Sequence, residues 1–156
     1  MIVAFCGHST YVENVKDEEE VLAVLESRVG ELPCEFFLGG YGNFDQFGYG
    51  CAKRFQKKHP NARLLFVTPY LSESYARNTE WRQGRFDGVI YPPLENVPPR
   101  YAISRRNRWI VEQADLLFAY ITHEFGGAYA MYRYAKQKDK EIYQLGNRIQ
   151  KQKEGS

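Results

Sequence analysis

The chain carries six short apolar runs, and no hairpin turn joins any of them to the next. They are Ile2-Val3-Ala4-Phe5-Cys6, Cys34 to Leu38, Arg63 to Val67, Asp87 to Tyr91, Leu116 to Ile121 and Glu141-Ile142-Tyr143. The first, apolar throughout and without strict alternation, suits a strand covered on both faces. The stretches between them have helical spacing. Asp17 to Val29 places Val21, Val24, Leu25 and Leu32 on an inner side, and Gln46 to His59 spaces Phe47, Cys51 and Phe55 four apart. Tyr101 to Ala114 carries the stripe Ile103, Ile110, Val111 and Ala114, and a further helix is expected over Tyr129 to Lys138. Pro92-Pro93 and Pro98-Pro99 prevent regular structure between them. Strands joined only by crossovers give an α/β fold: a doubly wound, mostly parallel sheet with helices on both faces.

Two of the strand-to-helix connections are rich in glycine. Phe37-Leu38-Gly39-Gly40-Tyr41-Gly42-Asn43-Phe44-Asp45 follows the second run, and Thr122-His123-Glu124-Phe125-Gly126-Gly127-Ala128-Tyr129 follows the fifth. Glycine admits positive φ and close approach of a ligand to the main chain, and a helix starting there aims unpaired N–H groups at whatever lies above it. Each stretch is therefore either an anion site or a tight connection with spare glycines. Gly7-His8-Ser9 ends the first run, at the edge where open α/β sheets take their ligands. His8 reads as a hydrogen-bonded loop residue or, less simply, as a catalyst. Segment 72–84, polar and aromatic, is a candidate lid or a plain surface connection.

With 156 residues the chain fits one domain, assigned to residues 1–145, with a flexible polar tail over 146–156. A net charge of +2 lacks the basic excess of a dedicated nucleic-acid binder, so a nucleic-acid partner is not favoured at this stage. Cys6, Cys34 and Cys51 have no Cys-x-x-Cys or metal-ligand spacing; they read as buried thiols in a reducing cytoplasm, and neither a metal nor a cofactor is expected. No run approaches the length of a membrane span.

Four places taken together resemble the SLOG superfamily of Rossmann-like proteins, which includes the DNA-processing DprA proteins, the LOG cytokinin-activating hydrolases, YpsA-like proteins and ligand-sensing domains of antiphage defence systems. They are Gly7-His8, Gly39-Gly40 with Asp45, Arg106-Asn107 before Ala114-Asp115, and Gly126-Gly127 followed by Tyr134-Ala135. The resemblance runs from Ile2 to about Leu145 and implies a Rossmann-like pocket for a nucleotide-derived ligand. In LOG-like hydrolases the second turn reads Pro-Gly-Gly-x-Gly-Thr-x-x-Glu, and the Glu takes part in removing the base from a ribose 5′-phosphate. Here Phe125 replaces the Pro, Tyr129 the third Gly and Arg133 the Glu. Arginine stays protonated and cannot act as a general base, whereas it clamps anions well. In DprA-like proteins the first turn reads Ser-Gly-Gly-Ala-x-Gly-Ile-Asp; Gly39, Gly40 and Asp45 match, while Leu38, Tyr41 and Asn43 depart.

Three functional readings follow. The first is a stand-alone sensor or sequestering protein for a nucleotide-derived small molecule, of ADP-ribose or cyclic-nucleotide type, with phage counter-defence as an analogy. On that reading Gly39, Gly40, Gly126 and Gly127 contact phosphates, and Arg106 and Arg133 clamp them. Gly7, His8 and Ser9 line the floor, Asn43, Asp45 and Asn107 bond ribose, and Tyr41, Tyr70 or Trp81 stacks on the base. The second is a nucleotide N-glycosidase or phosphoribosyl hydrolase, for which Glu124 is the best-placed acid, ahead of Asp45, Glu73 and Glu80. The third is single-stranded nucleic-acid binding through Lys57, Lys58, Arg63 and the tail. Excess tyrosine and the family's habit of pairing imply a homo-oligomer.

Overall fold

The apolar runs form the strands β1 (Ile2–Gly7), β2 (Glu35–Leu38), β3 (Arg63–Val67), β4 (Gly88–Ile90), β5 (Leu116–Tyr120) and β6 (Glu141–Gln144) in a computed structural model that describes residues 1–40, 42–70 and 84–145. Between them lie α1 (Val15–Arg28), α2 (Gly42–Lys58), α3 (Ala102–Gln113) and α4 (Gly126–Gln137). The six strands make one sheet in the order β4-β3-β2-β1-β5-β6, and every neighbouring pair is parallel. The doubly wound Rossmann-like α/β architecture expected from the sequence is the one observed.

Alternation along each strand sorts the side chains to two faces. Val3, Phe5, Phe36, Leu38, Leu64, Leu116 and Phe118 face α1 and α2, where they pack with Val21, Leu25, Phe47, Cys51 and Phe55. Ala4, Cys6, Phe37, Leu65, Val67, Leu117 and Ala119 face α3 and α4, where they meet Ile110, Val111, Met131 and Ala135. Phe5 stacks on Phe36 at 6.4 Å and on Phe118 at 5.4 Å, so one aromatic row crosses the three central strands. Full burial of each such ring contributes about 1.5–3 kcal/mol. At the β1 edge nearest the site, a Cβ on Gly7 would lie 2.4 Å from the ring of Phe44. Only glycine lets α2 settle there. Asp115 fixes the β1–β5 pairing from the other end: its Oδ2 accepts from the Ile2 amide at 2.8 Å, and its own amide donates to the Ile2 carbonyl at 2.8 Å.

Helix limits differ from the expected ones in an instructive way. Helix α2 begins at Gly42 and not at Gln46, and α4 at Gly126 and not at Tyr129. Gly42 and the pair Gly126-Gly127 thus lie in first turns of helices, hidden from a periodicity count because they have no side chain, whereas Gly39-Gly40 precede α2. Helix α1 starts at Val15, its N-cap Asn14 accepting from the Asp17 amide at 2.8 Å. Leu32 lies beyond its end and is 58% exposed, so it does not belong to the inner side. Pro99–Tyr101 forms a 3-10 turn leading into α3, and Ile103 is 42% exposed where a core position was expected. Cys6, Cys34 and Cys51 are buried and unpaired, and burial pushes the Cys34 thiol up to about 11 and Cys51 to about 12. Among the described residues no helix is long and apolar enough to cross a membrane.

Candidate functional site

The chain winds outward from β1 to β4 and then returns to place β5 on the other side of β1. Connections leave the carboxyl ends of β1 and β5 toward opposite faces, which opens a crevice between them. A cleft of about 590 Å³ lies there. Its walls come from the Gly7-His8-Ser9-Thr10 segment after β1, Gly39, Gly42 and Asp45 after β2, His123 and Phe125 to Ala128 after β5, and one side of α3 through Ile103, Arg106, Asn107 and Ile110.

Arg106 forms the floor. It is only 2% exposed. Its Nη1 donates to the carbonyls of Val67 at 2.7 Å and Gly39 at 3.2 Å, and its Nε donates to Asn107 Oδ1 at 2.9 Å. The guanidinium thus ties the ends of β2 and β3 to α3. A Cβ on Gly39 would stand 3.2 Å from Arg106 Nη1 and 3.3 Å from Asp45 Oδ2, so the strand end must be bare for these charges to approach it. Sequence reasoning expected a clamp closing directly on a ligand; the structure shows a buried strut whose forked donors hold backbone.

The wall between β1 and β5 is a pile of rings. His8, 5% exposed, accepts at Nε2 from the Thr122 amide at 3.0 Å, which leaves Nδ1 to carry the proton of the neutral ring. Burial, and then the neighbouring His123, lowers the His8 pKa and keeps the ring uncharged. His123 stacks on it at 3.6 Å and 12°, and Phe125 lies 4.0 Å from His123. The pile ends in solvent, since Phe125 is 70% exposed.

The two glycine-rich helix starts turn out to be unlike. At α2 the chain covers the end itself: the Asn43 amide donates to the Ser9 carbonyl at 3.2 Å, and a Cβ on Gly42 would lie 3.0 Å from Ser9 Cα. At α4 the N-cap Phe125 makes no side-chain capping bond, Gly126 has φ 89°, and nothing beyond the adjoining residues and the helix's own backbone lies within 4 Å of where a Cβ on Gly126 or Gly127 would be. Its first turn lines the cleft through Gly126, Gly127 and Ala128. The turn is anchored from beneath, where Cys6 Sγ donates to the Ala128 carbonyl at 3.1 Å; burial, reinforced by the charge of Asp45, raises the Cys6 pKa and keeps the thiol protonated.

Of the residues singled out in the sequence, Gly7, His8, Ser9, Gly39, Asp45, Arg106, Asn107, Gly126 and Gly127 surround this cleft. Gly40 lines a smaller recess of about 180 Å³ beside Gln46 and Arg85, and the Asn43 side chain is exposed on α2. Tyr70 lies at the end of β3, its amide donating to Thr68 Oγ1 at 3.2 Å, outside the cleft lining. Arg133 and Glu124 border a second cleft of about 420 Å³ on the far side of the Thr122–Phe125 loop. Tyr41, Trp81, Glu73, Glu80 and all but the last residue of the candidate lid 72–84 lie outside the described residues, as does the tail. Lys57 and Lys58 end α2 and Arg63 starts β3, which puts them at the opposite end of the sheet from the cleft. His123 and Phe125 were missed as site residues, although an aromatic residue directly before paired glycines was the available signal.

Solved structures share this fold. The X-ray structure of DNA processing protein A (DprA) from Streptococcus pneumoniae superposes with a TM-score of 0.60 at 13% identity, covering 91% of this chain and 49% of that one. DNA processing protein A from Helicobacter pylori, described for its unique single-stranded DNA binding mode, gives 0.59 at 13% identity, covering 92% of this chain and 64% of that one. The chain therefore spans about half the length of one neighbour and less than two thirds of the other. No protein-family model matches it, and no curated protein matches it by sequence. The comparison corrects the expectation that set a nucleic-acid partner aside, because a structural neighbour with this fold is described by its single-stranded DNA binding mode. Net charge is a sum over the whole chain and does not describe any one surface. The acids Asp17 to Glu20 stand on α1, on one face of the sheet, and cancel in the sum cations such as Arg133 and Lys136, which stand on α4 across the other face. Charges that far apart do not cancel at a binding surface in salt.

Proposed function

We propose that the cleft binds a nucleotide, with a phosphate against the first turn of α4 and the base against the Phe125–His123 rings. The observation that carries this reading is the open, uncapped α4 N-terminus with clear space over Gly126 and Gly127. Main-chain N–H groups and the positive helix end there favour an anion. Phe125 beside it offers an exposed ring face, and Asp45 and Asn107 on the opposite wall supply groups for ribose hydroxyls. On this reading the cleft holds the nucleotide: His8 has its Nε2 engaged by backbone, Glu124 borders the neighbouring cleft, and Asp45, the acid that lines this one, is assigned to ribose.

A second reading concerns the form in which the nucleotide arrives. It is a unit of a single DNA strand, a reading favoured by the Helicobacter pylori neighbour, or a free nucleotide-derived signal. Titration of the chain with ADP-ribose, a cyclic dinucleotide and short oligodeoxythymidine separates the two, since affinity for a strand falls steeply with salt in proportion to the phosphates engaged. In either case Phe125→Ala removes a stacking contact of about 1–3 kcal/mol, and Gly127→Asp sets a carboxylate where the phosphate sits. Both variants weaken binding without loss of fold, because Phe125 is exposed and the Gly127 site is open. Parent-like affinity in both, or no binding of any of the three probes by the parent chain, refutes the proposal.

A further inference from the structure

The second cleft shares a wall with the first. His123 lines both, and the Thr122–Phe125 loop is the ridge between them. Its other side is α4, which presents Tyr129, Tyr132, Arg133 and Lys136. Arg133 and Lys136 are exposed and three residues apart, so they stand as neighbours on the helix surface. Each is held near an aromatic face, Arg133 at 5.9 Å from the Tyr129 ring and Lys136 at 5.3 Å from the Tyr132 ring. Tyr132 is itself fixed: its hydroxyl donates to Gln144 Oε1 at 3.1 Å, while Gln144 Nε2 donates to the Ile121 carbonyl at 3.3 Å. The cleft is thus a polar trough with two cations on a braced aromatic base, opposed by the single carboxylate of Glu124 on the loop side.

From Gly127 to Arg133 and Lys136 the rise along α4 is about 9 and 14 Å. Both cations line the second cleft and not the first, so a phosphate at the helix start sits apart from them. We infer that the two clefts form one tandem site for phosphodiester-linked nucleotides, the first unit seated at the α4 N-terminus and the phosphate of the next unit on Arg133 and Lys136. The inference rests on the nucleotide reading of the first cleft and adds to it the class of ligand: two linked nucleotide units, whether a free dinucleotide or consecutive residues of a strand. Arg133, in the position where LOG-like hydrolases have their glutamate, then serves the second unit and not the first.

The test compares a mononucleotide, thymidine 5′-monophosphate, with the linear dinucleotide pdTpdT and an eight-residue oligodeoxythymidine on the parent chain, on Arg133→Ala/Lys136→Ala and on Gly127→Asp. The parent binds pdTpdT more tightly than the mononucleotide, and the double variant loses about tenfold in dinucleotide affinity while its mononucleotide affinity stays at the parent level. Gly127→Asp weakens both ligands. A further gain from two to eight residues, with a steep salt dependence, identifies a strand as the source; a flat response identifies a free dinucleotide. If the mononucleotide binds but pdTpdT binds no better, or the double variant leaves pdTpdT unaffected, the tandem site is refuted and the nucleotide reading of the first cleft survives. If neither ligand binds the parent, the tandem site is refuted, and the nucleotide reading of the first cleft is decided by the ADP-ribose and cyclic-dinucleotide titrations.

Discussion

Replacing Arg106 by methionine tests whether the buried guanidinium is a strut of the site. Methionine fills a similar length of cavity and removes the donors to the Val67 carbonyl, the Gly39 carbonyl and Asn107 Oδ1. A buried polar group left without its partner costs about 1–3 kcal/mol. Val67 is wholly buried and takes the full penalty, whereas Gly39 and Asn107 are half-buried at the cleft and are partly relieved by water. Removal of a buried charge returns some of its desolvation cost, so the net loss is about 3–4 kcal/mol. In a chain of this size that lowers Tm by roughly 10 °C. The assay is urea unfolding followed by circular dichroism at pH 7, with the m-value checked for an unchanged transition. Arg106→Lys keeps the charge but places one nitrogen where three bonds diverge, so it recovers only part of the loss. A methionine variant within about 1 kcal/mol of the parent, or full recovery with lysine, refutes the strut: the first outcome shows that the bonds hold nothing, the second that charge alone matters.

Two further perturbations address the same end of the sheet. Gly7→Ala drives a methyl group to within 2.4 Å of Phe44, a ring with no room to yield, and destabilises the chain by about 1–3 kcal/mol, read by thermal unfolding; a neutral result would show that α2 shifts freely. His8 is neutral in the fold and has its pKa lowered, by burial first and then by His123, so the unfolded chain binds more protons than the native one as pH falls below about 6.5. Stability present above that pH is lost on acidification toward the lowered native pKa, and the loss is smaller in His8→Gln. Parallel pH dependence of the two proteins between pH 7 and 5 would refute the assignment.

Much of the fold was open to sequence reasoning because its signal is redundant. Continuous apolar runs in β1, β3 and β5, helical spacing between them and the lack of hairpin turns all point to one parallel sheet, so an error in any one of them changes little. The site is different. Glycines of the β2–α2 and β5–α4 connections look alike in sequence, and what separates them is Ser9, more than thirty residues from Gly42, whose carbonyl meets Asn43 and closes the first. Arg106 showed the same limit: its residue type fits a ligand clamp, but its partners at Gly39 and Val67 are brought to it by two other strands. Periodicity also ranked Ile103 as core because it shares a stripe with Ile110, although α3 overhangs the cleft at that turn and leaves it in solvent.

The contrast between the two helix starts decides the polarity of the site. Both stand above the carboxyl ends of strands adjacent to β1, yet the segment after β1 turns toward α2, and its Ser9 carbonyl accepts from the Asn43 amide. The same segment turns its other side to β5, where His8 takes the Thr122 amide and stacks with His123. One short loop therefore takes the Asn43 amide of α2 and builds the wall that presents α4. A glycine-rich start is an anion site only when no neighbouring carbonyl reaches it first. On the nucleotide reading proposed above, that rule favours Gly126 and Gly127 for the phosphate, with the ring pile on one flank and the Arg133–Lys136 trough one ridge away.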